Sequence, residues 1–365
     1  MTVKPVYEAN APEDYARLGI EPRSIAQFED GLRTGGEPGS YEWWYFDAHL
    51  DDGAKVVVVF YTKHYTSPEL PLTPMLEINL ELPDGRAFVR QVTLAPEEFH
   101  AAKDRCDVRI GDAVFEGDLH TYRIKAEVGE LAVDLKLVGE VPAWRPGSGH
   151  LYFGEGEERR LFAWLPAVPK GHVTGSYSVD GEQHIVTGGN GYHDHNWGDA
   201  PMVSLMHDWY WGRGEAGDYS VITAYITAEE EYGFAPTTYF MLAKGEEIVA
   251  DNVRSVVAFS TDEVAADPKS GKPVADVSRY ISSEGSERYA VTFTRDKTIV
   301  VDSMLDLMTP DRREAAQATG FDGAYHRFLG ELEIAHERDG ARVDAVAQEA
   351  LWELMYFGRA RRPAV

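Results

Sequence analysis

The chain has 365 residues, with 35 Lys and Arg against 61 Asp and Glu, giving a formal net charge of −26. A surface this acidic repels phosphate backbones and anionic headgroups, which argues against nucleic-acid binding and peripheral membrane binding. The length fits about two domains at roughly 100–200 residues each. The 44% apolar content supplies a sizeable core, and the aromatic load is high, at 19 Tyr, 15 Phe and 8 Trp. Cys106 is the single cysteine, which excludes an intramolecular disulfide and a Cys-rich zinc site.

The first ten residues lack the apolar core and small-residue cleavage site of a secretory signal, and no run of 18 apolar residues occurs. A cytoplasmic protein without a membrane span is expected. Residues 1–35 read as an irregular lead-in, punctuated by Pro5, Pro12 and Pro22. From Tyr41 the signals are those of strands. Runs at 41–50 and 55–62 flank Asp51-Asp-Gly53 and predict a hairpin. Further runs follow at 76–82, 87–94, 114–116, 120–127 and 131–138, with Gly and Asp turns between them. The stretch 141–160 is rich in Pro and Gly and predicts loop. Strands resume at 160–165, 171–179 and 183–187. A second β-rich series includes 219–227, 237–243, 288–295, 298–305 and 330–337. Short strands at this spacing predict an all-β protein of sandwiches or barrels. After the lead-in, the expected domains are residues 36–198 and 199–365, as two similar halves without an exact repeat. The tail, 342–357, is ambiguous: its apolar period fits a helix, while the preceding Asp339-Gly340 turn fits a returning strand.

The densest polar and aromatic stretch is Gly188-Gly-Asn-Gly-Tyr-His-Asp-His-Asn-Trp-Gly198, followed by His207-Asp-Trp-Tyr-Trp-Gly-Arg213. In a strand, His193 and His195 share one face, with Tyr192, Asp194 and Asn196 on the other. Two His at this spacing can converge on a metal ion, with His207 or Asp208 as a third ligand. The motif has no accompanying ligand pattern, so no metal is expected. The plain structural explanation is a set of buried polar groups satisfying one another. A third reading is acid–base chemistry. A carboxyl desolvated among Trp and Tyr rings has a raised pKa and can act as an acid near neutral pH. Electron-rich faces of Trp43, Trp44, Tyr45, Trp197, Trp209 and Trp211 can stabilise a cation, at about 2 kcal/mol per desolvated contact. Phe60, Tyr61, Phe162 and Trp164 are assigned to the core. The glycines at 188, 189 and 191 do not form a nucleotide-binding fingerprint, and no nucleophile elbow occurs.

Tyr41-Glu-Trp-Trp-Tyr-Phe-Asp47 and Gly191-Tyr-His-Asp-His-Asn-Trp-Gly198 together resemble the AttH-like, lipocalin-like superfamily, which includes carotenoid hydratase (hydroxyneurosporene synthase) and kievitone hydratase. Trp209-Tyr-Trp-Gly-Arg-Gly214, the run 219–227 and Tyr239-Phe-Met-Leu-Ala-Lys244 are most similar to the kievitone hydratase branch. The resemblance spans roughly residues 35–358. It implies two tandem lipocalin-like β domains with a ligand cavity near their junction, and hydration of an isoprenoid double bond without a redox cofactor. It also maps a His-x-Trp pair onto His195 and Trp197, and a Tyr-x-Asp pair onto Tyr225-Ile-Thr227. Thr227 takes the acidic position there, which moves the choice of acid to Asp194.

The expected function is therefore a cofactor-independent hydratase acting on a small hydrophobic isoprenoid or polyene. Asp194 is the expected proton donor, tuned by His195, with His193 and Tyr225 positioning water. Trp43, Trp44, Tyr45, Tyr192, Asn196, Trp197, Trp209, Trp211 and Tyr239 are expected to line the substrate. The alternatives are a cyclase or pericyclase of a terpenoid or polyketide intermediate, and a non-catalytic carrier.

Overall fold

The computed structural model describes residues 3–306, 313–314, 317 and 321–358. Two compact units divide the chain: Tyr7–Pro201 is one, and the residues from Met202 onward, with residues 3–6, are the other. Both are almost entirely β. Among the described residues no helix is long and apolar enough to cross a membrane.

The unit Tyr7–Pro201 is built on one curled antiparallel sheet. Its strands run in the order Ala87–Thr93, Met75–Glu81, Lys55–Lys63, Tyr41–Leu50, Gly189–Gly198, Arg160–Val179, Leu131–Gly139, Thr121–Val128, Ala113–Gly117, Cys106–Ile110 and Phe99–Ala101. The unit's last strand in sequence, Gly189–Gly198, thus pairs with the first long strand, Tyr41–Leu50, and sits in the middle of the sheet. Trp44, Phe46, Phe60, Phe115, Ile124, Leu137 and Leu165 fill the inner face. Gly191 admits close packing at the centre of the sheet: a Cβ there would meet Val173 Cγ2 at 2.4 Å and Leu137 Cδ1 at 2.8 Å.

Two expectations are corrected here. The stretch 141–160 is not all loop, since His150–Phe153 pairs with the start of the long strand. The runs 160–165 and 171–179 are one strand, Arg160–Val179, whose register shifts between Leu165 and Gly171. Pro166 and Pro169 fall there, and a residue without an N–H is accommodated at a bulge.

The lead-in is more structured than its composition suggests. Pro12–Leu18 is a helix with proline at its start, Glu13 and Asp14 in the first turn, and Gly19 as a left-handed cap, each placed where helix ends favour it. Glu29 and Asp30 follow as buried carboxylates. Glu29 receives the Arg145 Nε at 2.7 Å, with both side chains almost fully buried. The Arg145 guanidinium also donates to the carbonyls of Glu21, Ser24 and Gly147, so one cation clamps the lead-in to the sheet.

In the second unit the same plan recurs. The order is Glu247–Asp251, Pro236–Lys244, Tyr219–Ala228, Met206–Ala216, Ala341–Tyr356, Ala324–Arg338, Glu287–Ser303, Pro273–Glu284 and Val256–Ala266. Again the last strand joins the first. The strands 247–251, 256–266 and 273–284 add to those expected, and the runs 288–295 and 298–305 merge into Glu287–Ser303 across two register shifts.

The tail is strand, not helix. Ala341–Tyr356 pairs along its length with Ala324–Arg338 across the Asp339-Gly340 turn, where both residues have positive φ, as a two-residue hairpin demands. From Ala350 to Tyr356 burial alternates with period two. Tertiary pairing overrides the helical period.

Replacing Glu29 by Ala leaves the Arg145 charge buried and unpaired. The expected cost is about 3–5 kcal/mol, read as a lower urea midpoint for the transition of this unit.

Candidate functional site

The strand Gly189–Gly198 is buried on both faces, so each of its polar side chains needs a partner inside the protein. Cross-strand neighbours share a face, and the register fixes who they are. Asp194 stands opposite Tyr45 and Asn196 opposite Trp43, while His195 stands opposite Trp44 and His193 opposite Phe46.

On the outer face, Asp194 is the hub. The Trp164 indole N–H and the Tyr192 hydroxyl donate to its Oδ2 at 2.8 and 2.7 Å, and the Asn196 amide donates to Oδ1 at 2.8 Å. Tyr45 lies edge-on to Tyr192 and donates to Asp47 at 3.2 Å. Trp43 packs among Tyr41, Tyr61 and Tyr65, with ring centroids 5.5 to 6.3 Å away. Burial among these groups pushes the Asp194 carboxyl up from 3.8 to about 6; the hydrogen bonds from Trp164 and Tyr192 pull the other way, and the Asp47 charge adds to the rise.

On the inner face stand the two histidines, both fully buried. His195 Nε2 lies 2.8 Å from Glu42 Oε1 and its ring stacks on Trp44 at 4.6 Å. Glu42 also accepts from the backbone N–H of Arg33 and Thr34 and from the Thr34 hydroxyl, all at 2.7 Å. His193 donates from Nδ1 to the Tyr45 carbonyl at 2.8 Å and sets Nε2 3.1 Å from Asp30 Oδ2. Tyr122 donates to that same oxygen at 2.6 Å. Burial pushes the Asp30 carboxyl up, but the imidazoles of His193 and then His195, with Tyr122, outweigh it and hold it below the ordinary value.

This geometry separates residues that the sequence reading had placed together. Tyr192, Asp194, Asn196, Trp43 and Tyr45 share the outer face. His193, His195, Trp44 and Trp197 lie on the inner face, so His195 pairs with Glu42 and does not contact Asp194. Trp197 borders a cavity of about 340 Å³ also lined by Phe28, Arg145, His150 and Leu165. Trp164 and Tyr61, assigned to the core, belong with the outer-face aromatics.

Tyr225, Trp209, Trp211 and Tyr239 are in the second unit. There Trp211 and Tyr239 flank Ala224 on neighbouring strands and share a face with Trp209. Tyr225 takes the opposite face, stacked on Phe259 at 3.9 Å, where its ring packs against the core. Thr227, at the position where an acid was expected, donates to Asp208 on the adjacent strand at 3.2 Å. Asp208 in turn pairs with His207.

Four residues escaped the sequence reading: Asp30, Glu42, Asp47 and Trp164. Strand alternation carried a signal for Glu42, which shares a face with Trp44 in the hairpin strand. Nothing local marks Asp30.

Asp194 also yields a stability test. Its folded pKa lies above the unfolded value, so it contributes stability below about pH 4 that is lost as pH rises through about 6. Above that, the buried charge costs up to about 3 kcal/mol. Asp194→Asn keeps the acceptor for Trp164 and Tyr192, and is expected to raise the thermal midpoint at pH 8 but not at pH 4. Calorimetry at the two pH values measures this.

Comparison with known proteins places the arrangement. The chain is 30% identical over 211 residues to the hydroxyneurosporene dehydrogenase of Chlorobaculum tepidum, covering 48% of this chain and 54% of that protein. It is 49% identical over 203 residues to the quinolone epoxide rearrangement protein asqO of Emericella nidulans, covering 50% and 53%. The chain thus spans about half the length of the curated relatives it matches. Among solved structures it is similar to CghA with Sch210972, at TM-score 0.59 and 14% identity over 88% of this chain and 89% of that one. It is also similar to kievitone hydratase from Nectria haematococca, at TM-score 0.51 and 13% identity over 92% and 97%. At such identity these two likenesses concern the fold alone, and that fold is the lipocalin-like one of the AttH and kievitone hydratase structures. Residues 116–314, more than half of the sequence, match the Diels-Alderase-like family, and the chain belongs to it.

Proposed function

We propose that the protein is a Brønsted-acid enzyme of secondary metabolism, acting on a small hydrophobic natural product with Asp194 as the proton donor. The observation that carries this reading is the Asp194 environment: a buried carboxyl raised to about 6, set among Trp43, Tyr45, Tyr192 and Trp164. Its protonated form persists near neutral pH, and its conjugate base is received by three donors already in place. Such preorganised donors stabilise the charge that develops as the proton leaves. The ring faces of Trp43 and Tyr45 stabilise the cation formed on the substrate.

In the hydratase reading, the Asp194 proton adds to one carbon of a prenyl-type double bond, leaving a tertiary cation on the other. Water attacks that cation, and its excess proton passes to a carboxylate. Asp47, hydrogen-bonded to Tyr45 on the same face, is the base proposed for that step. A second reading is favoured by the 49% identity to a quinolone epoxide rearrangement protein. There the same proton goes to an epoxide oxygen, the C–O bond breaks, and an internal nucleophile or a migrating group captures the cation. No cofactor is consumed in either case.

Product mass separates the two: hydration adds one water, and rearrangement adds nothing. Asp194→Asn is expected to lower kcat/KM by about 10²–10⁴-fold in both, whereas Asp47→Asn impairs only the hydration. Because the acid must be protonated, kcat/KM is expected to be flat below about pH 6 and to fall about tenfold per pH unit above it. Full activity in Asp194→Asn would overturn the proposal. Ligand binding without turnover, unchanged in that variant, would identify a carrier.

A further inference from the structure

We propose that Asp30, His193, His195 and Cys106 form a binding site for a divalent d-block cation, zinc by its donor set, inside the curled sheet of the Tyr7–Pro201 unit. The inference is independent of the chemistry assigned to Asp194, which lies on the other face of the same strand.

The argument starts from where the ring protons must be. His193 Nδ1 faces the Tyr45 carbonyl, which can only accept, so the proton is on Nδ1. His195 Nε2 faces Glu42, a carboxylate that already accepts three other donors, so the proton is on Nε2. A ring that carries only that one proton turns a lone pair toward Asp30, where a doubly protonated ring would donate instead. His193 Nε2 is 3.1 Å from Oδ2, and His195 Nδ1 is 3.4 Å from Oδ1. Asp30 Oδ1 and His195 Nδ1 have no hydrogen-bond partner, although both residues are at least 99% buried. Two lone pairs and a carboxylate facing one another repel unless a cation lies between them.

The remaining features select a metal ion. The Cys106 sulfur lies with the donor atoms of Asp30 and His193, all within 4.8 Å of one another. Its thiol faces the Asp30 carboxylate and makes a long contact, 3.7 Å, to the Phe115 carbonyl. The 3.1 Å between His193 Nε2 and Asp30 Oδ2 is close to the edge of a tetrahedron with bonds of about 2.0 Å, and His195 Nδ1 approaches the other carboxylate oxygen. One carboxylate oxygen, two imidazoles and one thiolate are a zinc-type donor set. The groups behind the ligands also fit. His195 is backed by the Glu42 carboxylate, His193 by a backbone carbonyl, and Asp30 by the Tyr122 hydroxyl, which is how ligand orientation is fixed in metal sites. Binding would form the metal–sulfur bond and release the Cys106 proton to solvent, with no change of oxidation state. Because Asp30 comes from the lead-in, Cys106 from a strand near one end of the sheet order, and the histidines from its centre, the ion would tie the curled sheet across its interior.

The test uses the full chain produced in minimal medium supplemented with zinc or with cobalt, and in metal-depleted medium. The expected result is about one equivalent of metal per folded chain. The cobalt form should show the visible bands of a tetrahedral ion and a near-ultraviolet thiolate-to-cobalt charge-transfer band. Cys106→Ser should lose that charge-transfer band while keeping a weakened tetrahedral spectrum. The zinc-loaded wild type should melt at a higher temperature than the metal-depleted protein. A folded wild type with no stoichiometric metal from any medium, and one melting temperature throughout, would overturn the proposal and assign the charge between the rings to protons. Stoichiometric cobalt whose spectrum is unchanged by Cys106→Ser would overturn it too, since the ion would then lie elsewhere.

Discussion

A strand buried on both faces that carries His193, Asp194, His195 and Asn196 must bring a hydrogen-bond partner to every one of them. That requirement organises the unit around it. It explains why the last strand is inserted at the centre of the sheet, flanked by Tyr41–Leu50 and Arg160–Val179, since only a central position offers neighbours on both sides. It also explains the lead-in, whose Asp30 reaches His193 on the inner face and whose Arg33 and Thr34 reach Glu42. Residues that look like an irregular preamble are part of the polar interior.

Much of the fold was legible. Strand alternation, Gly and Asp turns and the two aromatic motifs identified an all-β chain, and the lipocalin-like resemblance agrees with the solved structures it matches. Alternation alone separates His193 and His195 from Asp194. It could not say which face held the aromatics that matter, because Trp43 and Trp44 are adjacent in sequence and opposite in space. Proximity in sequence therefore joined His195 to Asp194, although the pleat turns neighbours away from each other. Trp164 was hidden by its apolar surroundings, and only the register with Asn196 reveals its indole N–H as a donor to Asp194. Asp30 was not legible at all: its contacts with His193 and Tyr122 span more than ninety residues of sequence, and no periodic pattern encodes so distant a pairing.

The composition takes on a sharper meaning in this light. Most of the acidic side chains contribute to the net charge of the surface, but a few carboxylates are internal and are treated quite differently. Glu29 is neutralised by Arg145, Glu42 by backbone donors and His195, and Asp30 by its two imidazole neighbours. Each is held by charge or by several donors, as a buried anion must be. The aromatic residues divide likewise. Trp44 and Phe115 pack the interior against the imidazoles, while Trp43, Tyr45 and Tyr192 surround Asp194, whose hydrogen-bond partners are neutral donors.

That contrast between Asp30 and Asp194 is the strongest functional signal in the unit. The two carboxyls lie on opposite sides of one strand, and both are buried. Asp30 is held below its ordinary value by the imidazoles of His193 and His195, whereas Asp194 is raised to about 6 because burial outweighs the hydrogen bonds from Trp164 and Tyr192 and the charge of His193. Pairs of titratable groups driven apart by their surroundings mark the division of labour in acid–base sites. Had His195 pointed toward Asp194, its positive form would have favoured the carboxylate and removed the proton that the proposed acid would donate. The pleat prevents this by turning both histidines inward, where Glu42 and Asp30 engage them. The histidines of the motif thus serve the acid best by facing away from it, and the inner-face carboxylates are what keep them there.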